Sequence, residues 1–403
     1  MRSRDRSYDI DPYLYLILLF ALIITVPGLI TGATHAHVGP VLGVFLFGIA
    51  IFGGAFILSW AAEAAQIDIS ESLAVAILAL IAVLPEYAVD FVFTWKSAHD
   101  PTQSHYAIAN MTGANRLLVG LGWPFILFLY VMVTKKKELV LDESQRVEIF
   151  YLAMATLYSF TIPLKGSLNL IDTVILVTLF ILYTRRAAQM ESHEPELVGP
   201  VKIVANLRTV PRRITTAIMF LYAGAVIFFV AEPFAESLLG TGRALGIQEF
   251  LLVQWLAPIA SESPEFIVAA TWTLRGAAGS ALKALISSKV NQWTLLVGTI
   301  PLVYAIAGGA IKPFPLDELQ DHELYLTAAQ SLFAVAVLVN LRLNRWEGVL
   351  LVVLFTLQLV VSHIRMEVAA AYVVLALIFH VVHRKTLLPA ARIGLGLKNS
   401  PKG

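Results

Sequence analysis

The 403-residue sequence contains no cysteine, which excludes disulfides, thiolate catalysis and metal sites built on cysteine. Charged residues are also scarce: they make up 14% of the chain, against about 25% in soluble domains. With 58% hydrophobic residues, the chain cannot cover a water-facing surface in the usual way. No basic block is typical of a nucleic-acid interface, so the composition indicates a membrane protein with membrane lipid as its surroundings.

The apolar residues are gathered in segments of about 20 residues, the length that crosses roughly 30 Å of hydrocarbon. Backbone polar groups inside a membrane must be paired within the segment, and no strand-like alternation is present, so we predict helices. The predicted fold class is all-α, a polytopic membrane protein with about 12 transmembrane helices. The predicted spans are about 12–32, 41–65, 71–95, 104–133, 146–164, 168–184, 214–240, 245–274, 278–306, 325–343, 347–364 and 367–384.

A polar basic loop at 185–213 divides the chain into halves of six spans each, 1–184 and 214–385, and a tail follows at 386–403. Of the 29 lysine and arginine residues, 21 lie on the side that holds both termini and this loop, and 5 lie on the other side. Lysine and arginine are enriched in cytoplasmic loops. We therefore expect an integral membrane protein, in the plasma membrane, with both termini in the cytoplasm.

A Pro-Glu pair occurs once in each half, near the middle of an apolar span. Pro85-Glu86 lies in the third span and Pro264-Glu265 in the eighth, and each pair precedes an aromatic residue, an aliphatic residue and valine. In both halves the next span carries small and polar residues and continues through Leu-Leu-Val-Gly, so the repeats cover about 71–133 and 245–306. An offset of five spans inverts one copy in the membrane. Inverted repeats with helices broken at the midplane indicate a secondary-transporter binding site.

The residue types in the repeats suit a cation. Each proline displaces the carbonyl four residues earlier, here that of Ile81 or Ala260, and such carbonyls can coordinate a hard cation together with Glu86 and Glu265. Carboxylates inside a membrane are functional candidates by default because they are costly there. The predicted helix-breaking residues are Pro85, Pro264 and Gly113, of which Gly113 also permits close helix packing. Further ion-binding candidates are Asn110, Asn115, Asn291, Ser261, Ser263, Glu262 and Asp90.

With these motifs the sequence resembles the Ca²⁺/cation antiporter superfamily, the sodium/calcium-exchanger-like integral membrane proteins. Each repeat of that family has a Pro-Glu pair on one helix and a Gly-Asn-x-x-Gly-Ser-Asn-like stretch on the next. Residues 110–115 match that stretch in the first repeat, and 287–289 match it more weakly in the second. The resemblance implies cation antiport by alternating access, with Glu86 and Glu265 as metal ligands. It also implies Ca²⁺, Na⁺ or H⁺ as transported ions and no cofactor.

The sequence departs from the family pattern at two basic residues. Lys289 stands where the family has asparagine or aspartate, and Arg116 follows Asn115 where an apolar residue is common. Both are predicted to compensate the charge of the glutamates. We predict in particular that Lys289 pairs with Glu265 or Glu262 and permanently occupies a cation site.

Other functions are less well supported by the sequence. Exchange of Na⁺ for H⁺ by the same fold is the first alternative, favoured by the two basic residues. A membrane enzyme would need a catalytic motif, and neither His-Glu-x-x-His nor Gly-x-Ser-x-Gly is present. A channel is a third class, but the glycine-rich loops of a selectivity filter are missing.

Overall fold

The computed structural model describes residues 10–68, 84–190, 197 and 199–397. The first part of the third predicted span, including Ile81, lies outside the described residues. The other spans and the end of the third are present as helices in the predicted order. The longer helices are α1 Tyr13–Ala33, α2 Pro40–Ala65, α3 Leu84–Ser97, α4 Pro101–Thr134, α5 Glu143–Lys165, α6 Leu170–Ala187, α7 Thr209–Leu245, α8 249–274, α9 Ala278–Ala307, α10 Glu318–Leu338, α11 Arg345–Val360, α12 Arg365–Val382 and α13 Arg384–Gly394, and a short helix at Val201–Ala205 precedes α7.

The predicted all-α polytopic membrane fold is confirmed. Among the described residues, seven helices are long and apolar enough to cross a membrane by length and composition: α1, α2, α4, α5, α7, α9 and α12. The outer helices α1 and α12 expose large apolar side chains such as Phe20 and Leu377. Helix α10 has the opposite character, since 15 of its 21 residues are buried, and it lies inside the helix bundle.

Helix α10 also begins earlier than predicted, at Glu318 instead of near residue 325. Asp317 accepts a hydrogen bond from the backbone N–H of Gln320 at 2.8 Å, and the Gln320 side chain accepts one from the Asp317 N–H at 2.9 Å. This reciprocal capping box satisfies two amides that would otherwise lack partners at the helix start. The polar residues of this first turn resemble a loop in the sequence, although Gln320 and Glu323 are completely buried.

Two short sheets join the halves. Strand β1 (Glu138–Val140) pairs antiparallel with β4 (Arg342–Asn344), and β2 (Ser167–Leu168) pairs antiparallel with β3 (Phe314–Pro315). Strands β1 and β3 precede α5 and α10, whereas β2 and β4 precede α6 and α11. Each sheet therefore takes one strand from each half, at positions that the internal repeat relates.

Three helices are interrupted by a π-helical segment: Leu118–Gly122 in α4, Leu252–Leu256 in α8 and Gln292–Leu296 in α9. Pro124 and Pro258 stand two residues after the first two segments. A proline cannot bond the carbonyl four residues earlier, and a π turn is a common way to accommodate the gap. Such segments occur frequently at functional sites.

The predicted interruptions are therefore present, but not at the predicted residues. Helix α4 is α-helical through Gly113, and α8 is α-helical through Pro264. Neither residue breaks its helix, and the interruptions lie in the neighbouring π segments. Pro85 is the second residue of the described part of α3, and the carbonyl of Ile81 that it would displace lies outside the described residues.

Candidate functional site

The candidate site is formed where α3 and α4 of the first half meet α8 and α9 of the second. Gly113 marks a very close approach of the halves, because a Cβ atom at this position would overlap the carbonyl oxygen of Gln254. That carbonyl lies in the π segment of α8, and Pro258, four residues later, has no N–H to bond it. The predicted role of Gly113 in close packing is thus confirmed, and the contact brings the two repeats together.

Four carboxylates are gathered beside this contact. Glu86, Asp90 and Glu262 are each no more than 2% exposed, and Glu265 is half-buried. Glu86 lies within electrostatic range of Glu262, Asp90 and Glu265. The glutamates of the two Pro-Glu pairs therefore lie near enough to influence each other's charge, which is compatible with an ion site shared by the repeats.

Two of the four acids are held by amide side chains from the adjacent helix. Asn110 Nδ2 donates to Asp90 Oδ1 at 2.7 Å, and Gln292 Nε2 donates to Glu262 Oε1 at 2.9 Å. The second oxygen of each carboxylate has no hydrogen-bond partner among the described residues. These oxygens point into the protein with lone pairs available to a cation or a proton.

Glu86 is the least satisfied of the acids. Neither of its carboxylate oxygens has a hydrogen-bond partner among the described residues, although the side chain is buried. A charged carboxylate at this depth in a membrane costs about 2.5–3.5 kcal/mol even on the mildest scale. A bound proton or a bound cation would remove that cost.

Lys289 does not form the ion pair that the sequence predicts. Its fully buried ammonium donates to Asn115 Oδ1 at 2.8 Å and to the Asn115 backbone carbonyl at 3.3 Å. It also lies 4.6 Å from the centroid of the Trp293 ring, and no carboxylate of the described residues is within ion-pair distance. Lys289 therefore uses oxygen atoms of α4 as its hydrogen-bond acceptors. It interacts with the acids only by long-range electrostatics, without a direct contact.

Arg116 pairs with a different glutamate from those that it was predicted to compensate. Its guanidinium forms a fully buried ion pair with Glu323 of α10. Glu323 also pairs with Arg365 at 2.6 Å and accepts a hydrogen bond from Gln254 Nε2 at 2.7 Å. The prediction for Arg116 is wrong because its partner lies on a distant helix, which the local sequence cannot indicate.

The neutral ligand candidates are oriented by their own helices. Ser261 Oγ donates to the Ala257 carbonyl at 3.2 Å, and Ser263 Oγ donates to the Ile259 carbonyl. A hydroxyl that donates in this way keeps its oxygen lone pairs for other partners. Asn291 Oδ1 accepts a hydrogen bond from the Tyr87 hydroxyl at 3.0 Å, so this amide links α9 to α3.

The acids do not form a closed metal cage in this conformation. Within the described ranges, no three histidine or acidic side chains are grouped tightly enough to hold a metal ion. The roles of Glu86 and Glu265 as metal ligands therefore remain a prediction. The available oxygens on Glu86, Asp90 and Glu262 belong to both repeats, so a movement of one repeat against the other would change their separation.

Comparisons with known proteins agree with this architecture. The family model of the sodium/calcium exchanger protein matches residues 39–187 and 215–363, one stretch in each half. A crystal structure of the H⁺/Ca²⁺ exchanger CAX is similar, with a TM-score of 0.92 and 43% sequence identity. That similarity covers 96% of this chain and 100% of the other.

More distant structures share the fold alone. Native YfkE has 15% identity and a TM-score of 0.62, over 86% of this chain and 98% of its own. The sodium-calcium exchanger NCX_Mj, soaked with 100 mM Na⁺ and 10 mM Sr²⁺, has 18% identity and a TM-score of 0.53, over 79% and 97%. No curated protein sequence matches the chain.

Proposed function

The chain belongs to the sodium/calcium exchanger protein family, and from this premise we propose that it exchanges Ca²⁺ for H⁺, with Na⁺ as the alternative counter-ion. The observation that carries the proposal is the group of four carboxylates from both repeats, three of them buried, of which Glu86 has two oxygens without partners among the described residues. The similar structure of 43% identity is titled a H⁺/Ca²⁺ exchanger, which supports the choice of ions.

Exchange follows from the electrostatics of this group. Several carboxylates buried together cannot all remain charged without a counter-charge, because like charges at short distance disfavour ionisation. Binding of Ca²⁺ would supply that counter-charge and displace protons, whereas protonation would release Ca²⁺. If the site is stable only when it holds either Ca²⁺ or protons, the movement of Ca²⁺ in one direction is coupled to the movement of H⁺ in the other.

Lys289 sets the charge balance of the proposed site. Its ammonium takes the Asn115 oxygens, which would otherwise be available to a cation. We assign to it the role of a permanent resident charge that reduces the number of ions bound in each cycle. The ligand set then consists of Glu86 and Glu265, with Asp90, Glu262 and the hydroxyls of α8 as supporting groups.

Alternating access would use the contact between the repeats. The Gly113–Gln254 approach joins α4 to a π segment of α8, where the helix is free of one regular hydrogen bond. Lysine and arginine placement supports the proposal that both termini lie in the cytoplasm. We also propose that the protein resides in the plasma membrane. Movement between the halves would open the carboxylates to one side at a time.

The experiment is a counter-ion flux assay with purified protein in proteoliposomes. Ca²⁺ uptake is followed with an internal Ca²⁺ indicator while H⁺, Na⁺ and K⁺ gradients are imposed one at a time. We expect Ca²⁺ uptake by the wild-type protein only when an outward H⁺ or Na⁺ gradient drives it. We expect no Ca²⁺ uptake by Glu86→Gln. Glu318→Gln, which changes an exposed glutamate, serves as the control and should transport normally.

Other outcomes identify other functions. Ca²⁺ entry without any counter-ion gradient would indicate a channel, and Na⁺-driven pH changes without Ca²⁺ movement would indicate a Na⁺/H⁺ exchanger. Unchanged Ca²⁺ exchange in Glu86→Gln would contradict the assignment of the site.

A further inference from the structure

A cavity of about 450 Å³ lies at the start of α11, and none of the four acids of the candidate site lines it. Lys137, Arg345 and Trp346 form its rim, and Leu350 and Phe379 form its apolar wall. On the predicted orientation this end of α11 faces the cytoplasm. The cavity therefore lies at the level where phospholipid headgroups meet the hydrocarbon.

The pairing of β1 with β4 brings the two basic residues together. Next to the ladder, the backbone N–H of Arg345 donates to the carbonyl of Lys137 at 3.2 Å. Like charges held opposite each other on a strand pair are unfavourable. Neither side chain forms an ion pair with any described residue, whereas Arg342 on the same ladder pairs with Glu138 at 2.7 Å. The cavity rim therefore carries two positive charges without a protein counter-ion in the described structure.

Glu347, the acid among the described residues that line the cavity, does not neutralise this pair. Glu347 accepts a hydrogen bond from the Asn344 backbone N–H at 2.8 Å, and the Asn344 side chain accepts from the amides of Trp346 and Glu347 at 2.9 Å and 3.0 Å. This capping box uses the amides at the start of α11. Recognition of an anion would therefore depend on the Lys137 and Arg345 side chains.

The remainder of the cavity suits an acyl chain. Trp346 is 71% exposed, and tryptophan is enriched at the membrane interface. The guanidinium of Arg345 lies 5.6 Å from the centroid of its ring, which holds the charge at headgroup level. Leu350 and Phe379 extend this apolar surface. An acyl chain can pack against these two side chains, whereas a free phosphate ion would make no favourable contact with them.

We propose that this cavity binds one anionic phospholipid, with its phosphate between Lys137 and Arg345 and an acyl chain along Leu350 and Phe379. Basic pockets between membrane helices on the cytoplasmic side are a recognised form of anionic lipid site. The lipid would also link α11 to the β1–β4 sheet that joins the halves.

The test measures phosphatidylglycerol binding to delipidated protein in detergent by native mass spectrometry, with phosphatidylcholine as the neutral reference. Each basic residue near a membrane surface is expected to contribute about fivefold in affinity. We therefore expect about 25-fold weaker phosphatidylglycerol binding in the double variant Lys137→Gln, Arg345→Gln. Phosphatidylcholine binding should not change.

Lys136→Gln is the matched control, since it removes the same charge from an exposed neighbour that does not line the cavity. Equal weakening by this control would mean general surface attraction and would overturn the proposal. Equal affinity of the wild-type protein for both lipids would overturn it as well. Full competition by soluble glycerol phosphate would assign the basic pair to a free phosphate instead. Elution of both variants as monodisperse protein on size exclusion confirms that they fold.

Discussion

The two repeats hold their acids in similar ways but arrange them in opposite order along the chain. In each repeat one acid accepts a hydrogen bond from an amide of the next helix, Asp90 from Asn110 and Glu262 from Gln292. Asp90 follows Glu86 by about one turn, whereas Glu262 precedes Glu265 by about one turn. Because the repeats are inverted, this reversal places both amide-bound acids on the same side of the Pro-Glu pairs. The inverted repeat thus gives two layers of acids instead of a symmetric ring.

A second pair of acids shows how the repeats differ in solvation. Glu148 and Glu323 occupy matching positions, each three residues after a Leu-Asp-Glu-x-Gln sequence. Each faces a basic residue of the other half. Glu148 lies 3.9 Å from Lys283, whose side chain is 35% exposed, whereas Glu323 and Arg116 are completely buried. The same repeat position therefore provides a loose contact between the halves in one case and a tight one in the other.

The largest expected effect comes from breaking the tight contact. Glu323→Gln leaves Arg116 buried without its counter-charge, and loss of one partner of a buried pair typically costs about 3–5 kcal/mol. Glu148→Gln should cost less than about 1 kcal/mol, as for partly solvated pairs. The free energy of unfolding in mixed detergent micelles measures both. Equal losses would contradict the contrast between the two contacts.

The next effect concerns the approach of the repeats at Gly113. Gly113→Ala would place a methyl group on the Gln254 carbonyl, and we expect a loss of about 1–3 kcal/mol in the free energy of unfolding. Gly224→Ala is the matched control, because a Cβ atom there meets nothing within 4 Å. A Gly113→Ala variant as stable as this control would mean that the helices do not meet so closely.

Lys289 tests the charge balance that distinguishes the second repeat. Lys289→Ala removes a positive charge near the acids, so the apparent affinity for Ca²⁺ in the flux assay should rise by about tenfold or more. Lys289→Arg retains the charge and should remain close to the wild-type affinity. If both variants kept wild-type affinity and ion selectivity, the resident-charge role would be wrong.

The smallest effect is expected near the end of α2 and the start of α7, two helices that the repeat relates. Arg212 binds Asp68 at 2.7 Å and 2.9 Å, and this hydrogen bonding, with help from Arg213, holds the pKa of Asp68 below its usual value against the opposing effect of burial. A lowered pKa stabilises the folded protein at pH values above the usual carboxyl pKa, and the stabilisation is lost as the pH falls. Asp68→Asn should therefore lower the free energy of unfolding by less than about 1 kcal/mol at neutral pH.

The pH dependence provides the control for this prediction. The difference between wild type and Asp68→Asn should fade as the pH falls below about 4, where the carboxyl becomes protonated. A thermal unfolding series at several pH values measures it. A difference that persisted unchanged at low pH would assign the effect to packing instead of charge.

Hydropathy and local motifs were enough to predict the helices and the paired glutamates, because both features depend on residues that are close together in the sequence. They could not predict the partners of the buried polar groups. Arg116 meets Glu323, and Lys289 meets Asn115, across more than 170 positions of the chain. The matching Leu-Asp-Glu-x-Gln sequences were the available signal for Glu323, since they mark α5 and α10 as related helices. The π segments had no signal beyond the prolines that follow two of them.

The central claim is that Glu86 and Glu265, one from each repeat, contribute to one cation site. Calorimetric titration of Ca²⁺ into the purified wild-type protein, Glu86→Gln and Glu265→Gln tests it most directly, with Glu318→Gln as the control. We predict saturable binding in the wild type and the control, and loss of that binding in each of the two site variants. Wild-type Ca²⁺ binding by either Glu86→Gln or Glu265→Gln would contradict a site shared by the repeats.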